Sequence, residues 1–320
     1  MITHVEIKNF RCLREVSVSL RPLTVLIGPN NSGKSAFLSS LYLPRLVAAE
    51  SRYVESDSWL RDSTTKPMVQ FSVEDSELVD LTPAQSRGGF IWKVNRKALQ
   101  LLPISYFGKD SLKPSMSSEG LNEEVGVPSI DDEASKLPAY LDMLLRVERR
   151  RFLRIIDKLH ELLPGFVDIH IATPKSNQRR IDIEWSNGYR MPGEEASYGV
   201  KLLIFFVALS LHPSPPKLVL IDEPENGIHP QLLREVIGLL RGLTTAKFAQ
   251  HPTQVVLSTH SPYLMDFIDL ETDQVLVTGI CDDGSRSIKE VDRSRLSNFL
   301  DEFMLGEVWI NQGEAGLLPK

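Results

Sequence analysis

The chain has 320 residues, of which 42% are hydrophobic and 24% are charged, and its formal net charge is −6. This composition is typical of a globular protein with one large or two modest domains, and the negative charge excludes a general electrostatic attraction to DNA or anionic lipid. Residues 1–20 lack the apolar core of a secretion signal, no apolar run is long enough to span a membrane, and Cys12 and Cys281 form no CxxC pair. We therefore expect a soluble, cytoplasmic protein with free thiols.

The first twenty residues alternate apolar and polar side chains, and this period of two predicts half-buried strands. The apolar positions are Val5, Ile7, Val16, Val18 and Leu20. Residues 23–27 carry no polar alternation apart from Thr24, as expected of a strand that is covered on both faces. Two further short strands are predicted around Phe71 and Trp92.

The middle of the chain combines a polar stretch with a helical one. Residues 111–138 are rich in Ser, Pro, Gly and acidic residues, which predicts a mobile loop or a disordered insertion. Helical spacing from Tyr140 to Leu163 predicts one helix of about six turns, and no heptad array extends it into a coiled coil. Its arginines form either a solvated helix face or a nucleic-acid contact. They are Arg146, Arg149, Arg150, Arg151 and Arg154.

The second half of the chain alternates buried strands with helices. Residues 198–211 are apolar on all sides and predict a buried helix. Two central strands are predicted at residues 217–222 and 253–259, with a helix beginning at Pro230 between them. A strand–helix–strand order predicts a parallel α/β sheet with right-handed crossovers.

The segment GPNNSGKS matches the phosphate-binding pattern G-x-x-x-x-G-K-[ST] and lies between a predicted strand and a predicted helix. Its glycines permit backbone angles that direct successive N–H groups at a phosphate, and the following helix adds its positive end. Lys34 supplies a point charge to the β- and γ-phosphate oxygens, and the hydroxyl of Ser35 can ligate Mg²⁺. The predicted nucleotide-binding residues of this segment are Gly28, Pro29, Asn30, Asn31, Ser32, Gly33, Lys34, Ser35 and Ala36.

Two of the predicted buried strands end in acidic and polar residues that suit catalysis. The first ends in Asp222 and Glu223, and because side chains alternate along a strand the two carboxylates must point differently. Asp222 suits the coordination shell of Mg²⁺, and Glu223 can polarise an attacking water. The second strand ends in Ser258, Thr259 and His260 at the same sheet edge, where His260 can hold a γ-phosphate and that water in line.

Two further features fit either an anion site or a purely structural role. Ser197 can cap the N-terminus of the apolar helix, with Gly199 in its first turn, and such a helix N-terminus binds anions. His229 in the segment GIHP has either a role in the site or a structural role in its loop. The residues alone leave both alternatives open.

Taken together, five motifs in this order resemble the ABC-type ATPases of the RecF, SMC and OLD (overcoming lysogenisation defect) group, most closely the OLD-like AAA ATPases. They are IKNFRCL, GPNNSGKS, ASYGVKLL, LVLIDEPENGIHP and VVLSTHSP, and the resemblance covers essentially the whole chain. It implies an α/β P-loop NTPase fold of ABC-ATPase type, with a mostly parallel central sheet, an N-terminal antiparallel β subdomain and a helical lobe carrying the signature. We expect one such domain over residues 1–320, with a flexible insertion at 111–138 and the helical signature lobe at 139–212.

The resemblance also implies roles for these motifs. Residues 28–35 correspond to Walker A, Asp222 with Glu223 to Walker B, and residues 225–229 to the D-loop. His260 corresponds to the switch histidine, which together with Glu223 and the Walker A lysine would carry catalysis. The implied cofactors are ATP and Mg²⁺, and the implied metal ligands are the Walker A serine and the Walker B aspartate.

The implied assembly is a head-to-tail dimer. Ser197 and Gly199 correspond to the signature, which in this family contacts the γ-phosphate of the opposite subunit, so that two ATP molecules are sandwiched between subunits. Arg11 is expected to reach the nucleotide, as the equivalent arginine does in relatives.

The sequence departs from the family pattern at several points. Tyr198 makes the signature S-Y-G rather than S-G-G or S-D-G, and Asn31 stands where many relatives have glycine, although Asn tolerates left-handed geometry. Gln70 is the one candidate for a Q-loop residue. The sequence shows neither the long coiled coils of SMC proteins nor the nuclease domain of OLD proteins, which favours an ATPase that acts on a separate effector.

We therefore expect an enzyme, an ATP-driven switch in which ATP closes a dimer or larger homo-oligomer and hydrolysis reopens it. The expected partner is a nuclease or a toxin, in phage defence or DNA maintenance, and no membrane is involved. One alternative is a nucleotide-gated DNA-binding or repair protein that uses the arginines at 146–154. Another is the nucleotide-binding subunit of an ABC transporter, against which the signature and the N-terminal motif argue.

Overall fold

The computed structural model divides into two compact units. The first comprises Met1–Tyr106, Lys217–Pro224 and Gln254–Lys320, and the second comprises Phe107–Pro216 and Glu225–Thr253. Each unit is therefore assembled from segments that are distant in sequence. The described residues are 1–49, 67–73, 77–86, 89–93, 104–107, 114–119, 134, 136–175, 177–300 and 302–318.

The structure bears on the two internal boundaries that were expected from the sequence. The expected insertion at residues 111–138 lies mostly outside the described residues, and within it residues 117–119 form a short strand. The second unit begins ahead of the lobe expected at 139–212 and also includes a later segment of the chain. The helix that begins at Pro230 thus belongs to the same unit as the signature helix.

Some strands in the described part of the chain belong to antiparallel sheets, and others are short and buried. In chain order they are β1 (Ile2–Phe10), β2 (Leu13–Ser19), β3 (Leu23–Ile27), β4 (Met68–Val73), β5 (Glu77–Ser86), β6 (Gly89–Lys93), β7 (Ile104–Phe107), β8 (Ser117–Glu119), β9 (Phe166–Ala172), β10 (Gln178–Trp185), β11 (Arg190–Pro192), β12 (Leu218–Asp222), β13 (Gln254–Ser258), β14 (Gln274–Ile280) and β15 (Arg286–Glu290).

Helices follow several of these strands, as an α/β chain requires. They are α1 (Lys34–Ala49), α2 (Leu137–Val147), α3 (Arg149–Leu162), α4 (Tyr198–Ser210), α5 (Pro230–Thr244), α6 (Pro262–Met265), α7 (Arg293–Leu300) and α8 (Leu305–Leu317). Across the part of the chain that the structure describes, no helix combines the length and the apolar character needed to cross a membrane.

A mostly parallel sheet forms the centre of the first unit. Its strand order is β15-β14-β3-β13-β12-β7, in which β14, β3, β13 and β12 run parallel and β15 returns antiparallel to β14. All side chains of β3, β12 and β13 are buried, because these aliphatic runs are covered on both faces of the sheet. These are the central strands that the uninterrupted apolar runs predicted, and the prediction is confirmed.

The N-terminal strands form a second, antiparallel sheet in the same unit. Its order is β2-β1-β4-β5-β6. Val5 pairs with Val18 and Ile7 pairs with Val16 across β1 and β2, and all four side chains are buried in one core with α1 and the parallel sheet. The period-two pattern is thus confirmed, because one face of these strands is buried and the other faces solvent.

The second unit combines a small antiparallel sheet with helices. Strands β11, β10 and β8 are neighbours in that order, and β9 also pairs with β10. Residues Leu202–Ser210 of α4 are buried, as the apolar pattern predicted, and α4 packs against α3 and α5. The first turn of α4 is more accessible than the rest of this helix.

The single helix expected from Tyr140 to Leu163 is wrong, because the chain forms two helices that meet at Glu148. Glu148 has φ −121° and ψ 51°, so it leaves the helical region while its carbonyl accepts the N–H groups of Arg151 and Phe152. The guanidinium of Arg151 binds the Glu148 carboxylate and also donates to the carbonyls of Leu211 and Phe248. These tertiary contacts fix the direction of α3, and no Pro or Gly marks the break in the sequence.

Candidate nucleotide-binding and catalytic site

The segment GPNNSGKS, residues 28–35, is called the P-loop below; it connects β3 to α1 and needs glycine at its first position. Gly28 has φ +139°, and a Cβ atom there would lie 2.3 Å from the carbonyl oxygen of Thr278 and 2.4 Å from its hydroxyl oxygen. Gly33 has φ +104°, and Asn31 adopts the left-handed conformation with φ +61°. Both glycines thus have positive φ values, which glycine adopts freely, and Asn31 has the left-handed conformation that asparagine tolerates.

The lysine of this loop is held over the loop itself. The Nζ atom of Lys34 donates hydrogen bonds to the carbonyls of Gly28 at 2.8 Å and Pro29 at 2.9 Å, and the residue is only 6% exposed. Lys34 is also the first residue of α1, so its charge and the positive end of the helix lie at the same place. This arrangement attracts the phosphate oxygens of a nucleotide.

A serine and an aspartate converge beside the loop. The hydroxyl of Ser35 donates to Oδ2 of Asp222 at 2.9 Å, and Oδ1 of Asp222 accepts a hydrogen bond from the Ser258 hydroxyl. Asp222 is paired with Ser258 in the strand register and is 7% exposed. Hydroxyl and carboxylate oxygens are the ligands that Mg²⁺ prefers, so this donor set fits the metal expected here.

Tyr106 on the neighbouring strand β7 completes this polar cluster. Its hydroxyl lies 3.5 Å from Oδ2 of Asp222, and its ring lies against Tyr42 of α1, with 5.5 Å between the ring centroids. Burial raises the pKa of Tyr106, and the nearby charge of Asp222 raises it further, so the phenol stays protonated and can donate.

The carboxylate and the imidazole expected to act on water lie next to each other. Glu223 directly follows β12, and its N–H donates to the carbonyl of Ser258 at 3.0 Å. Its Oε1 lies 3.8 Å from Nε2 of His260. Glu223 has φ +54°, a left-handed conformation that costs free energy in a residue with a side chain and is typical of functional sites. The pair can orient and deprotonate a water between neighbouring strand ends.

Arg11 lies close to the P-loop helix. It occupies the turn between β1 and β2, and its Nη1 donates to the Ser39 hydroxyl at 2.9 Å. That hydroxyl donates in turn to the carbonyl of Ser35 at 2.7 Å. Burial lowers the pKa of Arg11, and the electrostatic interaction with the neighbouring Tyr106 offsets part of this decrease. The arginine is thus connected to the loop through α1.

The signature segment lies in the second unit and packs on the segment expected as the D-loop. Ser197 caps α4, and its Oγ accepts the N–H of Val200 at 3.4 Å. A Cβ on Gly199 would lie 2.3 Å from the carbonyl oxygen of Gly227, and a Cβ on Gly227 would lie 2.2 Å from the ring of Tyr198. Tyr198, the departure from the family pattern, therefore covers Gly227.

Two other candidate residues make contacts of a different kind. His229 is the N-cap of α5, where its Nδ1 accepts the N–H of Gln231 at 3.4 Å, which is a structural contact. Gln70, the Q-loop candidate, lies on β4, where it is paired with Glu6 and Asp80 in the antiparallel sheet.

Comparison with known proteins agrees with this geometry. A family model described as "AAA ATPase domain" matches residues 1–65, and one described as "AAA domain, putative AbiEii toxin, Type IV TA system" matches residues 114–266. The OLD nuclease of Thermus scotoductus is 24% identical over 380 aligned positions, which cover 96% of this chain and 68% of that protein. The chain is a P-loop ATPase that resembles the ABC-type ATPases of the OLD, RecF and SMC group.

Further relatives of this ATPase support the same fold. The DNA replication and repair protein RecF of Acholeplasma laidlawii is 35% identical over 91 residues, which cover 27% of this chain and 25% of RecF. The structure of an SMC head bound to the C-winged helix domain of ScpA matches with a TM-score of 0.64 and 15% identity, over 93% of this chain and 99% of the head. The SMC head of Thermotoga maritima matches with a TM-score of 0.52 and 14% identity, over 91% and 99%.

Three residues beside the candidate site lie outside the sequence motifs. Tyr106 reaches Asp222 from the strand next to β12, Thr278 packs on the first glycine of the P-loop, and Arg286 bonds a carbonyl of that loop. Thr278 and Arg286 lie about 250 positions along the chain from the loop, and their sequence surroundings match no nucleotide-binding pattern. The strand register brings them there, because β14 runs beside β3 with Val277 opposite Ile27.

Replacing Gly227 by Ala is expected to destabilise the second unit by about 1–3 kcal/mol, because it combines left-handed strain at φ +85° with a clash against the ring of Tyr198. Chemical denaturation followed by circular dichroism measures this loss. Gly284→Ala is a matched control, since Gly284 has φ +73° but no atom within 4 Å of its Cβ position. A loss no larger than that of the control would show that the contact with Tyr198 is unimportant.

Proposed function

We propose that this ATPase is a switch in which ATP binding closes a head-to-tail dimer and hydrolysis reopens it. The observation that carries the proposal is the convergence of Lys34, Ser35, Asp222, Glu223 and His260 at the carboxyl ends of β3, β12 and β13. In parallel sheets this edge is where nucleotides bind.

The chemical roles follow from these positions. Residues 28–36 would cradle the phosphates, and Ser35 and Asp222 would hold Mg²⁺. When bound, Mg²⁺ neutralises charge on the β- and γ-phosphate oxygens. Glu223 would accept the proton of the attacking water, while His260 would keep that water and the γ-phosphate in line. Arg11 would add a positive charge beside α1.

Dimer closure would depend on the exposed start of α4. Tyr198 is 37% exposed and Ser197 is also exposed, whereas Leu202 and the residues after it in this helix are buried. A helix N-terminus at the surface can bind an anion through its backbone N–H groups, without a charged side chain. In the proposed dimer, Ser197 and Gly199 of one subunit contact the γ-phosphate held by the P-loop of the other, a contact that exists only in the closed state.

The signal would pass to a separate effector protein. The family model named after a putative toxin and the similarity to the OLD nuclease favour a toxin or a nuclease as that partner. We place the switch in the cytoplasm, in phage defence or DNA maintenance, on the analogy with these relatives.

The molar mass of Glu223→Gln, measured by light scattering with and without ATP·Mg²⁺, tests the dimer. The variant should bind ATP without hydrolysing it, so the account predicts a monomer without nucleotide and a doubled mass with it. Ser197→Arg introduced into the same variant should abolish the doubling. A mass that does not respond to ATP would contradict closure by nucleotide.

A second candidate function, nucleotide-gated DNA binding, is favoured by the arginines around the start of α3. Arg149, Arg150 and Arg154 are exposed and form no ion pair within the described part of the chain, whereas Arg146 is bonded to Asp142. Guanidinium groups of this kind bind DNA phosphates with strong salt dependence. Replacing the three by Gln should shift elution from a DNA column to lower salt, and Arg146→Gln should not. Equal elution of both variants and the unmodified protein would exclude this surface.

A further inference from the structure

The C-terminal hairpin formed by β14 and β15 lies against the P-loop at two points. The first is Thr278, whose hydroxyl donates to the carbonyl of Ile27 at 3.0 Å and is also hydrogen-bonded to the hydroxyl of Ser32. Its carbonyl closes on Gly28 so tightly that no Cβ would fit. The beginning and the middle of the loop are thus both fastened to β14.

The second point is Arg286, the first residue of β15. Its Nε donates to the carbonyl of Asn31 at 2.7 Å, and its Nη1 donates to the carbonyl of Gly284 at 2.6 Å. The aliphatic stem of Arg286 lies 3.4 Å from the position that a Cβ of Gly33 would occupy. The residue is half-buried. Two backbone carbonyls hold its guanidinium, and its aliphatic stem lies against the loop.

A phosphate-binding loop imposes a requirement that this contact meets. When successive N–H groups point inward at a ligand, the carbonyls between them point outward and need donors of their own. The Asn31 carbonyl meets a guanidinium, which forms a charge-assisted hydrogen bond that is stronger than one to a neutral donor. Asn31 has the left-handed conformation, and its carbonyl is held in this position by the bond to Arg286.

We propose that Arg286 is a positioning residue for nucleotide binding: through the carbonyl of Asn31 it holds the P-loop in the conformation that receives the phosphates. This inference rests on nucleotide binding by the P-loop. Arg286 then orders the loop before the nucleotide binds and takes no part in the hydrolysis step. Loss of Arg286 weakens the binding of ATP and of ADP together, since both carry the β-phosphate that the loop surrounds. The hydrolysis rate at saturating ATP stays unchanged.

The test measures dissociation constants of fluorescent ATP and ADP analogues for the full chain, together with the KM and kcat of hydrolysis. Arg286→Gln should raise both dissociation constants by about tenfold, which corresponds to about 1.4 kcal/mol. Its KM should rise by a similar factor while kcat stays within about twofold. Arg286→Lys, which retains a charged donor, should recover part of the affinity.

Lys289→Gln is the matched control, since it removes a positive charge from the same strand at an exposed position. It should bind both nucleotides as the unmodified protein does. An unchanged affinity of Arg286→Gln overturns the proposal, and so does a loss that is equal in Lys289→Gln or a loss of kcat without a change in affinity. If Lys34→Ala also binds nucleotide normally, the P-loop itself is not the site, and the proposed function fails with it.

Discussion

Glu223→Gln is expected to lower the rate of ATP hydrolysis by about a thousandfold while nucleotide affinity stays nearly unchanged, because a general base contributes on this scale. The amide keeps the shape of the side chain but cannot accept a proton from water. The residue follows the strand that carries Asp222, and its carboxylate lies beside His260, so the substitution affects the point where water would be activated. Single-turnover hydrolysis and equilibrium nucleotide binding, measured on the same preparation, separate the two effects.

Glu271→Gln provides the control for the first prediction, because Glu271 is an exposed residue of the same unit that pairs with Arg293. It should hydrolyse ATP at the normal rate. If Glu223→Gln retained more than about a tenth of the normal rate, another group would have to activate the water, since removal of a general base costs at least about a hundredfold.

Lys34→Ala is expected to weaken the binding of ATP and ADP by about a hundredfold, which corresponds to about 2.7 kcal/mol. The loss follows from removing a buried ammonium that lies over the P-loop at the start of α1. Fluorescence titration with labelled nucleotides measures it, and the circular dichroism spectrum checks that the fold is intact.

The control for this second prediction is Lys8→Ala, since Lys8 is a solvent-exposed lysine of β1 paired with Glu6. Its nucleotide affinity should match that of the unmodified protein. Normal nucleotide affinity in Lys34→Ala would mean that the charge over the loop does not bind phosphate, and the assignment of GPNNSGKS as the nucleotide site would be wrong.

The parts of this protein that the sequence predicted share one property: their chemistry is local. A phosphate loop needs glycines and a lysine at fixed spacing before a helix, and the structure has Gly28, Gly33 and Lys34 in that geometry. Central strands need uninterrupted aliphatic runs, and those at β12 and β13 end where the polar residues Asp222 and Ser258 face each other. The pattern of neighbouring residues was therefore enough to predict these features.

The parts that were missed depend on contacts between distant residues. The break at Glu148 is set by the contacts of Arg151 with backbone carbonyls far along the chain, and the helical periodicity continues through it. Arg286 reaches the P-loop only because β14 and β15 form a hairpin beside β3. The position of Tyr198 over Gly227 likewise needs the folded second unit. None of these contacts leaves a pattern in the neighbouring sequence.

The central claim, that each active site is shared between two subunits, is tested most directly by mixing two inactive variants. Lys34→Ala lacks a working P-loop and Ser197→Arg lacks a working signature, so each variant alone should be inactive. A mixed head-to-tail dimer contains one complete site out of two, so an equal mixture should recover ATPase activity, up to about half of the normal value. An equal mixture that stays as inactive as each variant alone would contradict the shared site and, with it, the switch.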